Sequence, residues 1–487
     1  MREWTREERY RTLESPDDVR ELYNSRIKES VYRQSYHIQP VTGLLNDPNG
    51  FLHYNGEWHL FYQWFPLGPV HGLKHWYHVS SKDLVNWKNL GLAVAPDRWY
   101  DNKGAYSGSA LLTSGKLYLY YTGNHRNDQW ERIPYTCLAE LFEGSWRIKK
   151  WDEPLFGPAE GYTEHQRDPK IIKLAENRYV IVLGAQNSEK KGRAIVYESD
   201  NPVSNWHFKG EINVPGFMDF GDMWECPSVQ HISGFDVLMF CPQHITLQYR
   251  GQSQNHNGYL IGKMDWDTLV FQPIGQFHEL DFGFDSYAAE CAARKRTWAE
   301  TNMIAWMGIP DASYPTDDEG WSGCMTLPRT LRVRNRRLIQ EPLEELTKLR
   351  IDEADPAMGI LPDACEMNVF NQEEDLDLTL FSKKDHTGGI NIYFNSKSRI
   401  LTVDRSGMNR LFNCDDGNVR TRKLENPLEH LRIYVDHSSV EIFVNSGDAV
   451  FTSRVFPHYT EHHFEMKTKA EIHIWNLRPS VEDNFII

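Results

Sequence analysis

The alternation of hydrophobic and polar positions divides the chain into regions of different secondary structure. Residues 1–35 carry apolar side chains at helical spacing, and Thr5 with Glu8 forms a capping-box pattern. From residue 36 to 338 the pattern changes to short apolar strands separated by turn residues. We therefore predict a short N-terminal helical segment that packs on the outside of a large β domain and has no chemistry of its own.

Five similar segments recur roughly every sixty residues within this β region. Three of them have an acidic residue within two positions of a proline, and the five are centred on Asp47, Ser107, Asp168, Glu225 and Tyr287. A fixed period with several strands per unit is typical of a β-propeller, in which each blade presents one inner strand to a central axis. We predict five blades of four strands, with a β-turn at residues 47–50 ahead of the first inner strand.

The pattern changes again after the propeller region. Residues 339–350 are charged, contain a proline and have helical spacing, which indicates a linker. Strands with turn residues between them recur over residues 351–487, without the acidic segments seen earlier, which favours a β-sandwich. The predicted fold class is therefore all-β, with a five-bladed β-propeller followed by a C-terminal β-sandwich.

Length, charge and cysteine content limit the possible environments and partners. A chain of 487 residues is long enough for two domains, and its net charge of −15 argues against nucleic acid or an anionic membrane as a partner. No apolar run approaches the ~18 residues of a membrane span, and no signal peptide is visible. The seven cysteines are scattered, as expected of reduced thiols. We predict a cytoplasmic protein without metal or cofactor, and the sequence does not indicate an oligomeric state.

Five motifs in a fixed order give the chain a family resemblance. They are Asn46–Gly50, Phe61–Gln63, Tyr106–Ser109, Arg167–Pro169 and Glu225–Pro227. This series resembles that of the β-fructofuranosidases, glycoside hydrolase family 32, and within that family most resembles the bacterial enzymes that act on sucrose 6-phosphate. The resemblance runs from about Tyr36 to the C-terminus and implies the same propeller and sandwich.

Three acids are the candidate catalytic residues. Retaining cleavage of a glycosidic bond needs a carboxylate nucleophile and a carboxylic acid ~5–5.5 Å apart. We interpret Asp47 as the nucleophile, because a turn can hold its carboxylate ionised among backbone N–H groups, and Glu225 as the general acid/base, because its apolar sequence neighbours favour the protonated form. The adjacent Arg167 favours a charged Asp168, which suits binding of sugar hydroxyls and stabilisation of positive charge. The resemblance implies the same roles for Asp47 and Glu225.

A sugar pocket around these acids is implied by the resemblance. Its residues carry amides, hydroxyls and rings suited to a furanose, and they are Asn46, Gln63, Tyr106, Ser107, Arg167, Tyr287 and Trp306. Trp306 could equally belong to the core. His71 departs from the tryptophan that many secreted members carry at that place, and it puts an ionisable side chain near the leaving group.

A phosphorylated substrate would require local positive charge in this acidic protein. Lys74 and Arg126 are the candidates for phosphate contacts, and the alternative for both is ordinary solvated surface charge.

The leading functional hypothesis is a retaining glycoside hydrolase that cleaves the β-fructofuranosyl bond of sucrose 6-phosphate, sucrose or both, through a fructosyl-enzyme intermediate on Asp47. A fructosyltransferase or a fructan-degrading β-fructosidase would have the same fold. An inverting, arabinan-degrading enzyme and a carbohydrate-binding module without catalysis are further alternatives. The motifs around Asp47 and Glu225 argue against both of these.

Overall fold

The structure, a computed structural model, describes residues 2–142, 146, 148–247, 254–293, 299–372, 374–483 and 486–487. Its sheets form a five-bladed β-propeller followed by a β-sandwich, which confirms the predicted fold class. Blade one contains Gly43–Tyr54, Glu57–Phe65, His75–Ser81 and Trp87–Val94; blade two Ala105–Thr113, Lys116–Arg126, Arg132–Leu141 and Ile148–Lys150; and blade three Tyr162–Ala175, Arg178–Asn187, Gly192–Ser199 and His207–Glu211.

Blades four and five each include an additional short strand. Blade four contains Met223–Ile232, Phe235–Gln243, Gly258–Asp265, Val270–Pro273 and His278–Glu279, and blade five contains Tyr287–Cys291, Thr301–Met307, Cys324–Met325, Arg329–Arg334 and Arg337–Pro342. The first strand of each blade is its inner strand, and each inner strand contacts those of the two neighbouring blades. The ring closes where Trp321–Ser322, from the blade-five region, pairs in parallel with the inner strand of blade one.

Two-residue turns connect the inner strand to the second strand in three blades. The turns are Asn55–Gly56, Ser114–Gly115 and Ser233–Gly234, and both residues of each have positive φ. This is the geometry of a type I′ turn, whose twist matches that of the flanking strands and which favours Asn or Gly. These short turns hold each inner strand in a fixed register against its neighbour.

The β-sandwich is built from a six-stranded sheet and a five-stranded sheet. The first has the order Arg350–Ala354, Glu471–Leu477, Ala364–Phe370, His430–Asp436, Ser439–Val444 and Ala449–Arg454, and the second has the order Val419–Lys423, Ile400–Gly407, Gly389–Asn395, Leu376–Ser382 and His463–Met466. Alternate residues of both sheets face one buried apolar core.

The boundary between the domains differs from the predicted one. The fifth blade ends at Pro342 instead of residue 338, because Arg337–Pro342 forms an antiparallel hairpin with Arg329–Arg334. The connection that follows is a 3₁₀ helix, Glu344–Leu349, with buried leucines on one side. Further 3₁₀ turns lie at Trp99–Asp101, Pro315–Glu319, Pro356–Met358 and Cys414–Asp416.

The N-terminal segment forms two short helices, α1 (Arg6–Arg9) and α2 (Pro16–Leu22), and the second continues as a π-helical turn, Tyr23–Ile27. The predicted capping box is present at α1, where Thr5 accepts from the backbone of Glu8 and the Glu8 side chain accepts from the backbone of Thr5. The described residues include no helix with the length and apolar character needed to cross a membrane.

A buried network of charged residues joins the two domains. Arg329 of blade five donates to Glu441 Oε2 at 2.7 Å and to Asp281 Oδ2 at 3.0 Å, and all three side chains are buried. His37 lies between Asp436 Oδ2 at 2.8 Å and Glu441 Oε1 at 3.1 Å. Burial opposes its charge, but hydrogen bonds to these two carboxylates raise the pKa of His37 to about 9. The interface therefore contains alternating buried charges, each of which is paired with a neighbour of opposite charge.

The residues near the C-terminus leave the sandwich and return to blade one. The backbone of Trp87 donates to Ser480 O at 2.8 Å, Asn89 Nδ2 donates to Glu482 O at 2.7 Å, and the Tyr77 hydroxyl donates to Ile486 O at 3.0 Å. This tail covers the outer strands of the first blade.

Candidate active site

A β-bulge interrupts each inner strand at the segment that the sequence singled out. The register shifts between Asn46 and Pro48 in blade one and between Tyr106 and Gly108 in blade two. Corresponding shifts follow Arg167, Glu225 and Tyr287 in the other three blades. The predicted turn at residues 47–50 is therefore wrong, because these residues lie within the strand Gly43–Tyr54. A bulge turns a side chain out of the regular alternation, which is why bulges are common beside active sites.

Left-handed backbone conformations occur at three of the bulges. Asp168 has φ 64°, Cys226 has φ 49° and Ala288 has φ 52°. Non-glycine residues seldom adopt this conformation, and it tends to be stored at functional sites. Proline follows two of these residues and also follows Asp47. Because proline has no N–H group, it fits the unpaired position that a bulge creates.

Side chains from the five bulges meet in two sets around the axis. The residues at the bulges are Asp47, Ser107, Asp168, Cys226 and Ala288, and the residues before them are Asn46, Tyr106, Arg167, Glu225 and Tyr287. Hydrogen bonds within each set join neighbouring blades, for example Ser107 to Asp47 and Arg167 to Glu225. The three acids line one cavity of about 490 Å³, within the usual ~300–1,000 Å³ of small-molecule sites.

Asp47 is held by donors on both carboxylate oxygens. Its Oδ2 accepts from Ser107 Oγ at 2.5 Å and from Gln63 Nε2 at 2.9 Å, whereas its Oδ1 accepts from Asn46 Nδ2 at 3.1 Å. Burial and the nearby charge of Glu225 raise the pKa of Asp47, and the Ser107 hydrogen bond opposes that rise. Gln63 and Ser107, predicted to bind sugar, thus contact Asp47 directly, and Ser107 is not among the cavity-lining residues.

Lys74 lies beside Asp47 with its side chain 1% exposed. Its Nζ donates to Asn46 Oδ1, which leaves the Asn46 Nδ2 group facing Asp47. Burial lowers the pKa of Lys74 to about 7, although the charge of Asp47 opposes the change. Lys74 therefore belongs to the Asp47 end of the cavity.

Glu225 is held by polar groups instead of the apolar neighbours expected from the sequence. Its Oε1 accepts from Arg167 Nε at 2.9 Å and Nη2 at 2.7 Å, and its Oε2 accepts from Gln243 Nε2 at 2.9 Å and from the Tyr287 hydroxyl. The expectation was wrong because strand alternation sends the adjacent Trp224 to the opposite side, where it is buried in the blade core.

Asp168 lies close to the other two acids. Its Oδ2 accepts from the backbone N–H of Cys226 at 3.0 Å. Burial and the charges of Glu225 and Asp47 raise the pKa of Asp168 to about 7, despite the opposing charge of Arg167. Arg167, expected from the sequence to favour a charged Asp168, forms its ion pair with Glu225 instead.

Aromatic rings form one wall of the cavity. Trp306 lines it although only 2% exposed, and its ring meets those of Tyr287 and His71 edge-on, with centroids 6.4 and 6.1 Å away. His71 Nε2 lies 3.1 Å from Pro310 O, so that nitrogen carries the proton. The His71 side chain is exposed at the cavity rim, but the surrounding protein and the charge of Lys74 lower the pKa of His71 below its usual value, which favours the neutral ring. Tyr106 also lines the cavity.

The remaining predicted residue, Arg126, is not among the residues that line the cavity. Its Nη1 donates to Trp130 O at 2.7 Å. The residue paired with it across the hairpin, Arg132, does line the cavity, as does Arg9 of α1. The expectation that the N-terminal segment contributes nothing to the site is therefore wrong: the Arg9 carbonyl accepts from Leu73 N at 2.7 Å, which fixes α1 at the cavity mouth.

Two polar residues that contact the candidate catalytic acids lie outside the motifs and had no sequence pattern to indicate them. Gln243 contacts Glu225 from the adjacent strand of blade four, and Thr122 Oγ1 accepts from the backbone N–H of Asp168 at 2.9 Å. Both lie on second strands, where only the pairing register brings them to the axis. Among the described residues, no group of three or more His, Cys, Asp and Glu side chains is arranged to hold a metal ion.

Three acids that meet in one cavity at the axis of the propeller supply the carboxylates that a glycoside hydrolase needs. Residues 37–342 match the glycosyl hydrolases family 32 N-terminal domain, and residues 353–478 match the glycosyl hydrolases family 32 C-terminal domain. The chain belongs to glycosyl hydrolase family 32, which confirms the resemblance found in its motifs.

Relatives of known structure or function resemble the chain over nearly its whole length. A sucrose-6-phosphate hydrolase of Staphylococcus xylosus is 40% identical over 476 residues, 94% of each chain. The structure of sucrose-6-phosphate hydrolase from Lactobacillus gasseri superposes with a TM-score of 0.91 at 37% identity, covering 98% of this chain and 100% of that one. A mutant β-fructofuranosidase of Bombyx mori in complex with sucrose has a TM-score of 0.82 at 27% identity, covering 96% and 100%.

Proposed function

We propose that this protein is a retaining β-fructofuranosidase whose preferred substrate is sucrose 6-phosphate and which also hydrolyses sucrose. The observation that carries the proposal is the meeting of Asp47, Asp168 and Glu225, from three blades, in one cavity. The family and the names of the similar proteins support the sugar class.

Asp47 is proposed as the nucleophile. In the first step, an oxygen of its carboxylate bonds to the anomeric carbon of the fructosyl unit while the bond to the glycosidic oxygen breaks. Oδ2 accepts two hydrogen bonds and Oδ1 one, so Oδ1 has more free lone-pair capacity for the attack. Ser107 and Gln63 hold the carboxylate in place.

Glu225 is proposed as the general acid and base. It donates a proton to the glycosidic oxygen as the glucosyl part leaves, and it takes a proton from the water that then attacks the anomeric carbon and frees Asp47. The two contacts from Arg167 fix Oε1, and Gln243 and Tyr287 fix Oε2. Either oxygen can carry the proton once a substrate displaces one of these contacts.

Asp168 is proposed to bind hydroxyls of the fructosyl unit and to stabilise the positive charge that develops on its ring. Its Oδ2 is occupied by Cys226 N, so Oδ1 faces the sugar. Asn46, Tyr106, Tyr287 and Trp306 complete the wall, with the Trp306 ring available for contact with C–H groups.

The decisive experiment compares wild type with Asp47→Asn on sucrose and sucrose 6-phosphate, and determines the configuration of the product formed in methanol. We expect methyl β-fructofuranoside, a preference of wild type for the phosphorylated sugar, and a loss of at least about 10³-fold in kcat for the variant. An α-configured product would contradict retention, and a variant with more than about a tenth of the activity would contradict the role of Asp47. Long fructosylated products formed in place of free fructose would indicate a transferase.

We further propose that the protein works in the reducing cytoplasm. All seven cysteines are free thiols, and six are buried or partly buried. Fractionation of cells that produce the protein would test this, and recovery of the activity outside the cytoplasm would contradict it.

A further inference from the structure

One side of the cavity mouth carries a group of cations that no acid neutralises. This basic wall consists of Arg6, Arg9, Lys103, Arg126 and Arg132. Within the described part of the chain, none of the five forms an ion pair with a carboxylate. The protein as a whole has a net charge of −15, so an uncompensated cationic region is unusual in it.

Trp130 organises the basic wall. The cations of Arg6, Lys103 and Arg126 lie over its ring, at 4.5, 5.4 and 5.5 Å from the centroid, and the Tyr10 ring meets it edge-on at 5.3 Å. These contacts fasten α1 to blade two and bring Arg9 to the cavity. The basic wall is thus held in place by cation–π and ring contacts between the N-terminal segment and blade two, which are distant in sequence.

Arg132 is the member of the wall that combines a position on the cavity lining with a buried Nε that has no hydrogen-bond partner among the described residues. Burial and the nearby charges of Arg167 and Arg126 lower its pKa. Confined arginines beside other cations are costly unless an anion is bound, and arginine forks match the oxygens of phosphate.

The position of the wall relative to the acids indicates which part of a substrate would reach it. Arg167 connects Glu225, the proposed proton donor to the leaving group, with the region of Arg132. Lys74 is buried and holds Asn46 against Asp47, at the proposed fructosyl site. A group carried by the leaving sugar would therefore approach Arg132 and Arg9.

We propose that Arg9 and Arg132 bind the phosphate dianion of the leaving glucosyl unit, while the other members of the wall supply a favourable field. This inference rests on the proposed function. It assigns one of the two phosphate contacts, Arg9, to the segment that precedes the matched family domain, which begins at residue 37. Lys74, suggested by the sequence, is instead engaged with Asn46.

The experiment uses the full-length variants Arg9→Gln, Arg132→Gln and their double mutant. Arg11→Gln is the matched control, because Arg11 is exposed on the same segment but does not line this cavity. We expect kcat/KM for sucrose 6-phosphate to fall about tenfold for each single variant, which is about 1.4 kcal/mol, and further for the double mutant. The loss on sucrose should be much smaller, so the ratio of kcat/KM for sucrose 6-phosphate to that for sucrose should drop, and Arg11→Gln should match wild type on both sugars.

Inhibition of sucrose hydrolysis by glucose 6-phosphate gives a second readout that does not require turnover of the phosphorylated substrate. We expect glucose 6-phosphate to inhibit wild type better than glucose does, and Arg132→Gln to remove that difference. Equal losses on both sugars, unchanged inhibition in the variants, or an equal effect of Arg11→Gln would overturn the inference. Absence of fructoside hydrolysis by wild type would instead reject the proposed function itself.

Discussion

Lys74 determines which way the Asn46 amide faces. The Lys74 Nζ donates a hydrogen bond to Asn46 Oδ1, so the Asn46 Nδ2 group is the one that faces Asp47 and donates to it. We expect Lys74→Met to lower kcat/KM by about ten- to a hundredfold on sucrose and sucrose 6-phosphate alike, because the nucleophile loses its orientation whatever the leaving group. Steady-state kinetics on both sugars measure this, with the exposed Lys82→Met as control. A loss confined to the phosphorylated sugar would place Lys74 at the phosphate.

Asp168 must lose its proton before it can stabilise positive charge on the sugar. Burial and the charges of Glu225 and Asp47 raise the pKa of Asp168 to about 7, although the charge of Arg167 opposes the rise. The ionised form that its proposed role requires is therefore populated as pH rises through this region, and kcat/KM on sucrose should increase over the same range. Asp168→Asn has no carboxylate to ionise, so its activity should be at least about tenfold lower and this increase should be absent. The pH profile of kcat/KM on sucrose, which does not titrate, gives the measurement, and an increase that persists in the variant would show that another group titrates.

The sequence was informative at single residues wherever a motif was local. Asp47, Asp168 and Glu225 stand out because each is followed by a proline within two positions, and the structure brings them into one cavity. It was uninformative wherever a contact depends on pairing between distant strands. Arg132, which lines the cavity, and Gln243, which contacts Glu225, carry no pattern of their own and are placed by register with a neighbouring strand.

At the scale of elements, the dependence on pairing between distant strands also explains why the turn predicted at residues 47–50 was wrong. An Asp-Pro-Asn-Gly segment has the composition of a turn, and only the partner strand decides that the chain continues as a bulged strand. The number of blades was predictable because the sixty-residue period is a property of the sequence itself. The end of blade five at Pro342 was not, because it depends on the hairpin partner Arg329–Arg334.

Substitution of Gly108 tests whether the bulge of blade two positions Ser107. A Cβ at this residue would lie 1.9 Å from the carbonyl oxygen of Tyr120, which is backbone and cannot move aside. We expect Gly108→Ala to destabilise the protein by several kcal/mol, roughly 3 or more, and to lower kcat through the Ser107–Asp47 contact. Gly115→Ala, in the turn of the same hairpin, meets no atom within 4 Å and should cost only about 1 kcal/mol from its positive φ. Denaturant unfolding would compare them, and equal losses would contradict the steric argument.

At the scale of the whole molecule, His37 links the two domains through its charge. Its pKa of about 9 in the folded protein exceeds the ordinary value of 6.5, so its stabilising contribution is complete below pH 6.5 and is lost as pH rises toward 9. We expect the free energy of unfolding to fall over this range by on the order of 2–3 kcal/mol, and His37→Gln to show a flatter dependence. Denaturant titrations at pH 6, 7.5 and 9 would measure both proteins. Parallel curves would mean that His37 is not the titrating group.

The return of the C-terminal tail to blade one also has a consequence for the order of assembly. Asn89 and Glu482 are 393 positions apart, and Tyr77 and Ile486 are 409 apart. Contacts of such separation require closure of very long loops and form late. During synthesis, the first blade to leave the ribosome must wait for residues near 480 before its outer strands are covered. The blade that is made first is therefore the last to be completed.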